Sequence, residues 1–80
     1  MERSKIFIEL TELFIDNLDE EGLVLKDTTT AMEIDGWDSL THIILVVAIE
    51  KHFKIRFTSR EIHSWKNVGE MINSIEKKVE

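Results

Sequence analysis

An unbroken run of seven apolar residues, 43–49, in the middle of an 80-residue chain constrains the fold more than any other feature. Its β-branched side chains would suit a buried strand. Three observations favour a helix: Asp38 and Ser39 are good N-terminal capping residues, the apolar pattern continues to Phe53, and no second convincing strand exists to pair with this one. Because such a helix is apolar nearly all round, it must lie at the centre of the fold or present one face to a partner.

The segments before this central helix predict one amphipathic helix and a long loop. From Ile6 to Leu18, apolar residues recur at spacings of three and four, and we expect this helix to fade over residues 17–21, with Gly22 as the stop. Residues 22–37 show no helical period, which predicts a loop of a length that is often functional. Five apolar side chains are expected to fix this loop to the core: Leu23, Val24, Leu25, Ile34 and Trp37.

Two capping boxes predict the remaining helices. They pair Thr58 with Glu61 and Asn67 with Glu70. The first predicts a short helix that ends near Trp65, and the second predicts a strongly amphipathic last helix. The sequence therefore predicts an all-α fold, a four-helix bundle with a long first loop and a short third helix, in a single domain over residues 1–80.

The distribution of charge restricts the partners. The net charge is −6, and residues 16–38 contain eight acidic residues against one lysine, whereas residues 39–80 contain five acidic and seven basic residues. An acidic chain repels phosphate backbones, so nucleic acid is a poor candidate partner. The acidic segment would attract a basic protein surface, although a solvated loop without a partner explains it equally well.

The amino acids that are missing also limit the chemistry. There are no cysteines, so any thiol must come from outside the sequence, and neither disulfides nor thiolate metal sites can form. His52 and His63 lack companions at metal-ligand spacing. The N-terminus has no signal-peptide core, and the longest apolar run falls far short of the ~20 residues that span a bilayer. We expect a cytoplasmic monomer without stable membrane insertion.

The segment Gly36-Trp37-Asp38-Ser39-Leu40 contains the candidate site. Ser39 is expected in the first turn of the central helix with its hydroxyl outward, Asp38 as the cap, and Leu40 pointing inward. The unpaired N–H groups and partial positive charge of a helix start would stabilise a phosphate on Ser39. A plain capping serine is the alternative. A hydrolytic triad of Ser39, His42 and an aspartate is disfavoured, because a chain this small lacks a substrate cleft and oxyanion hole.

The order of these features resembles the acyl carrier protein family: a long acidic loop, Asp38-Ser39-Leu40, an apolar central helix, a short capped helix and a last amphipathic helix. The resemblance implies that Ser39 receives a covalent 4′-phosphopantetheine arm from coenzyme A through a separate phosphopantetheinyl transferase. The thiol of this arm would hold acyl groups as thioesters for acyl-loading and acyl-transfer enzymes. It also implies a carrier without catalytic residues of its own, with Asp38 and Leu40 flanking the attachment site.

One departure from the family concerns the central helix, which in carriers of bacterial fatty acid synthesis usually displays acidic residues. Here Thr41, His42 and Ile44 stand at such positions, and Glu50 is the only acid in the helix. We infer a specialised lipid, polyketide or related pathway, in which Thr41, His42, Ile44 and Leu45 bind partners. Ile44 and Leu45 are equally well explained as core residues, and His42 as an exposed polar residue. An aminoacyl or peptidyl carrier and an unmodified helical interaction module remain as alternative functions.

Overall fold

A computed structural model describes residues 2–79 and contains four α-helices and one 3₁₀ turn. In chain order these are α1 (Arg3–Leu18), the 3₁₀ turn (Ala31–Glu33), α2 (Ser39–Phe53), α3 (Ser59–Ser64) and α4 (Val68–Val79). No strand occurs in this part of the chain. The helical interpretation of residues 43–49 and the all-α bundle with a long first loop and a short third helix are therefore confirmed. The two end residues of the predicted domain lie outside the described range.

The core is built from one side of each long helix. Its buried members are Ile6, Leu10 and Phe14 of α1, Leu45 and Ile49 of α2, and Val68, Met71, Ile72 and Ile75 of α4. Burial of one such side chain stabilises the fold by roughly 1.5–3 kcal/mol. α1 packs against both α2 and α4. Only one side of α2 contributes to this core, and its opposite side faces outward.

The first helix ends within the predicted range of residues 17–21. α1 stops at Leu18, and Asp19 adopts the left-handed conformation (φ 54°) with its N–H donated to the carbonyl of Ile15. Aspartate tolerates this conformation better than most residues with a side chain. Gly22, which was expected to stop the helix, instead lies in the following turn with φ 81°.

The long loop is fixed both to the core and to the start of α4. Leu25 and Ile34 are buried, and Leu23 and Trp37 pack against the core, but Val24 is 72% exposed, so its predicted anchoring role is wrong. Two loop carbonyls accept hydrogen bonds from N–H groups in the first turn of α4. These bonds are Val68 N–H to Thr29 O (2.8 Å) and Gly69 N–H to Asp27 O (2.9 Å). They satisfy donors that a helix start otherwise leaves unpaired.

The capping box of α3 is confirmed, whereas that of α4 is only half formed. Thr58 and Glu61 exchange hydrogen bonds of 2.8 and 3.1 Å between side chain and backbone. The Asn67 side chain accepts from the Glu70 N–H at 2.9 Å. Within residues 2–79, the Glu70 carboxylate does not accept the reciprocal hydrogen bond from the Asn67 N–H.

We predict that Gly69→Ala destabilises the fold by about 1–2 kcal/mol, because this change overpacks the contact between the loop and α4. An added Cβ would lie 2.8 Å from the Asp27 carbonyl oxygen and 3.2 Å from the Asp27 Cβ. In an uncrowded helix the same change stabilises by about 1 kcal/mol. Urea denaturation measures the difference, and Lys77→Ala on the exposed side of α4 should stay within about 0.5 kcal/mol of wild type. A more stable Gly69→Ala variant would contradict the close contact.

Candidate functional site

Ser39 is the first residue of α2 and is exposed to solvent. Asp38 precedes it in an extended conformation and accepts a hydrogen bond from the Thr41 N–H at 2.9 Å. This backbone hydrogen bond is the main reason that the pKa of the Asp38 carboxyl lies below its ordinary value. The carboxylate therefore stays ionised, and the predicted cap is confirmed. Ser39 follows Asp38 at the positive end of the α2 dipole.

Leu40 does not point inward as expected. Its side chain is 71% exposed, so the prediction that it fixes the first turn is wrong. The core-facing side of α2 begins with Leu45, and Leu40 lies on the other side together with Ile43, Ile44 and Val47, which follow at helical spacing.

Trp37 fixes the start of α2 instead. Its ring meets the buried ring of Phe14 edge-on, with the centroids 4.9 Å apart. Its indole Nε1–H donates to Nδ1 of His42 at 3.1 Å, and the two rings stack with an interplanar angle of 23°. The prediction that Trp37 anchors the loop beside Ser39 is therefore confirmed.

His42 is a structural residue at the site rather than an exposed polar one. It is half-buried, and its ring lies between Trp37 and the ring of Trp65, whose centroid is 6.0 Å away. Burial is the main reason that the pKa of His42 is lowered; a hydrogen bond with the Ile62 backbone opposes this effect, and the charge of His63 makes a smaller contribution that lowers the pKa. Since Nδ1 accepts from Trp37, the neutral ring carries its proton on Nε2.

This arrangement does not form a hydrolytic triad. A triad would need a hydrogen bond between the serine hydroxyl and the histidine, and another between the histidine and an aspartate. Within residues 2–79, Nδ1 of His42 accepts from Trp37, no hydrogen bond joins His42 to Ser39, and the Asp38 carboxylate accepts from the Thr41 N–H. Those residues also contain no cluster of histidine and acidic side chains that could hold a metal ion.

An open groove of about 430 Å³ lies beside Ser39. Its walls come from the loop, α2 and α3, and are formed by Ala31, Trp37, Asp38, Ser39, His42, Ile43 and His63. A group attached to the Ser39 oxygen therefore has room to lie along the groove or to extend into solvent. Sequence reasoning missed Ala31 and His63, because they belong to separate elements and no local pattern connects them to Ser39.

The other candidate partner-binding residues differ in exposure. Leu45 is fully buried, so the expectation that it contacts partners is wrong, and its role is core packing. Ile44 is 46% exposed, and Thr41 is half-buried. Of these three candidates, only Ile44 combines an apolar side chain with accessible surface. In residues 2–79, no helix has both the length and the apolar character needed to cross a bilayer.

The comparisons with known proteins first define the class. Residues 9–75 match the family described as a phosphopantetheine attachment site. The chain is also 30% identical over 71 residues to an acyl carrier protein of Wolinella succinogenes, an alignment that spans 89% of this chain and 93% of that protein. The solution structure of a holo acyl carrier protein from Geobacter metallireducens superimposes with a TM-score of 0.88 at 39% identity, over 92% of this chain and 85% of that one.

The chain belongs to the acyl carrier protein family. It is a carrier rather than an enzyme, and its cofactor is covalently bound phosphopantetheine. The resemblance inferred from the order of loop, Asp38-Ser39-Leu40 and helices is thereby confirmed.

We predict that acidification weakens the fold through His42. Because the pKa of His42 is lowered in the folded state, the unfolded chain takes up the proton first as the pH falls. The stabilising contribution is therefore fully present above the pKa of the unfolded chain. It is lost as the pH falls from the unfolded pKa toward the lower pKa of the folded state. Protonation would also place a hydrogen on Nδ1, opposite the Trp37 N–H. The urea concentration at the midpoint of unfolding, followed by tryptophan fluorescence, should decrease as the pH is lowered from about 7.5 to 5.5.

A His42→Asn variant is the control for this prediction. Asparagine keeps an acceptor near the position of Nδ1 but does not titrate. Its urea midpoint should vary less over the same pH range, since the carboxylates and the other histidines are common to both proteins. An identical pH dependence in the two proteins would rule out His42 as the titrating group.

Proposed function

We propose that Ser39 is the attachment residue for the phosphopantetheine arm. The observation that carries the proposal is the exposed Ser39 hydroxyl at the positive end of α2, beside an open groove. A phosphodiester there is favoured by the helix dipole and by the first-turn N–H groups. The residue also lies within the stretch that matches the phosphopantetheine attachment family.

The chain's own residues then have positioning roles. Trp37 and the Asp38 cap fix where α2 begins, so that the Ser39 oxygen faces a phosphopantetheinyl transferase. The ionised Asp38 carboxylate is suited to help that enzyme hold a cation near the incoming phosphate. The bound arm supplies a thiol that holds acyl groups as thioesters. Reach and recognition are the carrier's contribution, within a single domain over residues 1–80.

The side chains around Ser39 support a proposal about the cargo and the pathway. Thr41, His42 and Ile44 replace acidic residues that are usual in carriers of bacterial fatty acid synthesis, and the structure places Ile44 at the surface. We propose a carrier for acyl groups in a specialised lipid, polyketide or related pathway. Acyl-loading and acyl-transfer enzymes are its partners, and the cytoplasmic location remains a prediction.

We expect incubation with coenzyme A and a phosphopantetheinyl transferase of broad specificity to add the mass of one phosphopantetheine. Ser39→Ala should gain nothing. Ser59→Ala is the matched control, because Ser59 is likewise an exposed first residue of a helix, preceded by a capping side chain. Mass spectrometry of the intact protein gives the result. Modification of Ser39→Ala, or none of wild type with a transferase from the same source, would reject Ser39 as the site.

A loading assay separates the proposed cargo from an amino acid. We expect the holo-chain to accept fatty or related acyl groups from acyl-loading enzymes, but not amino acids from amino-acid-activating enzymes. Thioester formation is followed by the mass gain and by its loss on treatment with hydroxylamine. Loading with amino acids alone would assign the chain to the aminoacyl or peptidyl carriers instead.

A further inference from the structure

The outward side of α2 presents a continuous apolar strip. Leu40, Ile43, Ile44 and Val47 are 71, 51, 46 and 43% exposed. Their spacing of three and four residues places them on one helix face. Isolated exposed aliphatic residues are ordinary, but a contiguous row on a small protein marks an interaction surface. The core does not require these side chains, since Leu45, Val46 and Ile49 supply the buried side of the helix.

The two ends of this strip carry opposite charges. Exposed Asp35 and Asp38 lie at the Ser39 end. Lys51, Lys54 and Arg56 are exposed at the other end, and they line a second groove of about 460 Å³ together with Val47, Glu50 and Ile55. None of the ion pairs in residues 2–79 includes these three basic side chains.

The acidic residue in this groove is already engaged. The Glu50 carboxylate accepts a hydrogen bond from the Phe57 N–H at 2.9 Å. The carboxylate keeps its negative charge, but three basic side chains line the groove against this one acid, so positive charge dominates at this end. With a rise of about 1.5 Å per residue, Lys54 lies about 22 Å from Ser39 along the helix axis.

Stabilisation of the helix dipole explains only part of this pattern. Basic residues near a helix C-terminus are favourable for the helix itself, which accounts for Lys51. Arg56 lies beyond the end of α2, and the helix dipole does not explain why the apolar strip is exposed. The combined pattern instead resembles an interface, with apolar contacts in the centre and charges at the rim.

Building on the proposed carrier function, in which residues of α2 bind acyl-handling enzymes, we propose that this docking surface is charge-polarised and selects enzymes with an acidic patch opposite the far end of α2. The complementary enzyme surface is apolar in its middle, basic where the arm enters, and acidic about 20 Å away, opposite Lys51, Lys54 and Arg56. Such a surface fixes the direction in which α2 lies on the enzyme. An enzyme whose docking surface is basic throughout would meet repulsion at the far end.

Two other occupants fit the face less well. An anionic membrane would attract the basic end but repel Asp35, Asp38 and a chain of net charge −6. A second copy of this chain would find a strip only one helix wide, whereas a stable interface buries about 800 Å² on each partner. An enzyme that also surrounds the arm gains contact area beyond α2.

Charge reversal at the basic end tests the proposal. The probe is an acyl-transferring enzyme purified from the source organism by its activity on the holo-chain. We expect Lys51→Glu with Lys54→Glu to raise KM about tenfold, with a smaller change in kcat and a weaker dependence on salt. The matched control is Lys66→Glu with Lys77→Glu, which changes the net charge by the same amount. Like Lys51, Lys77 lies in the last turn of a helix, and like Lys54, Lys66 lies just after one. The control pair should stay within about twofold of wild type.

A second pair of variants tests the apolar strip. Ile44→Glu should raise KM by about tenfold or more, as expected for a residue at the centre of an interface. Ile8→Glu is the control, because Ile8 is 62% exposed on α1 and gains the same charge. Circular dichroism at the assay temperature confirms that each variant is folded.

The outcomes distinguish this inference from the proposed carrier function. If wild type gains no phosphopantetheine, the carrier proposal fails. If the arm attaches normally but the charge-reversed pair and its control behave alike, or if the reversal improves transfer, the polarised surface is wrong. Sedimentation of concentrated protein as a dimer that Ile44→Glu disrupts, or flotation with phosphatidylglycerol vesicles that the charge-reversed pair loses, would assign the face to another occupant.

Discussion

The packing of Trp37 against Phe14 and His42 is the interaction on which the functional geometry depends. It ties the end of a long, irregular loop to the buried side of α1 through Phe14 and to the first turns of α2 through the Nδ1 of His42. Because the loop end is fixed, the Asp38 cap forms at a defined point, and Ser39 becomes the first residue of α2. An aromatic pair of this kind stabilises by about 0.5–1.5 kcal/mol beyond its buried area, a substantial fraction of the stability of a small domain.

The second organising feature is the division of α2 into two sides. Leu45 and Ile49 complete the core, while Ile43, Ile44 and Val47 remain accessible. The same apolar composition therefore serves folding on one side and recognition on the other. The carrier does not need a deep cleft, since the reactive thiol belongs to the arm and the acyl chemistry to the partner enzymes. What the protein must provide is an accessible hydroxyl, a stable helix start and a surface that enzymes recognise.

Much of this fold was predictable from local sequence signals. The cap at Asp38 and the length of the pattern to Phe53 identify α2 as a helix, and the Thr58–Glu61 box identifies α3, because capping depends on residues only three positions apart. The resemblance to acyl carrier proteins directed attention to Ser39 for the same reason, since its motif is contiguous.

The rotation of α2 was not predictable, and the errors follow from that. In a helix that is apolar nearly all round, the sequence pattern does not indicate which side faces the core. Leu40 was therefore assigned inward and Leu45 to the surface, the reverse of what the structure shows. The role of His42 depends on Trp37 and Trp65, which come from the loop and the segment after α3. Such contacts arise only when the elements pack together, and no spacing within one segment encodes them.

The central claim is that the Ser39 oxygen carries the arm, and tandem mass spectrometry of the chain isolated from its own cells tests it most directly. Cleavage after lysine releases residues 27–51, which include Ser39. The account predicts phosphopantetheine on this peptide, with fragment ions that place it on Ser39 and none on Thr41. Phosphopantetheine on a peptide containing Ser59 or Ser64, or on no peptide of a fully covered sequence, would contradict it.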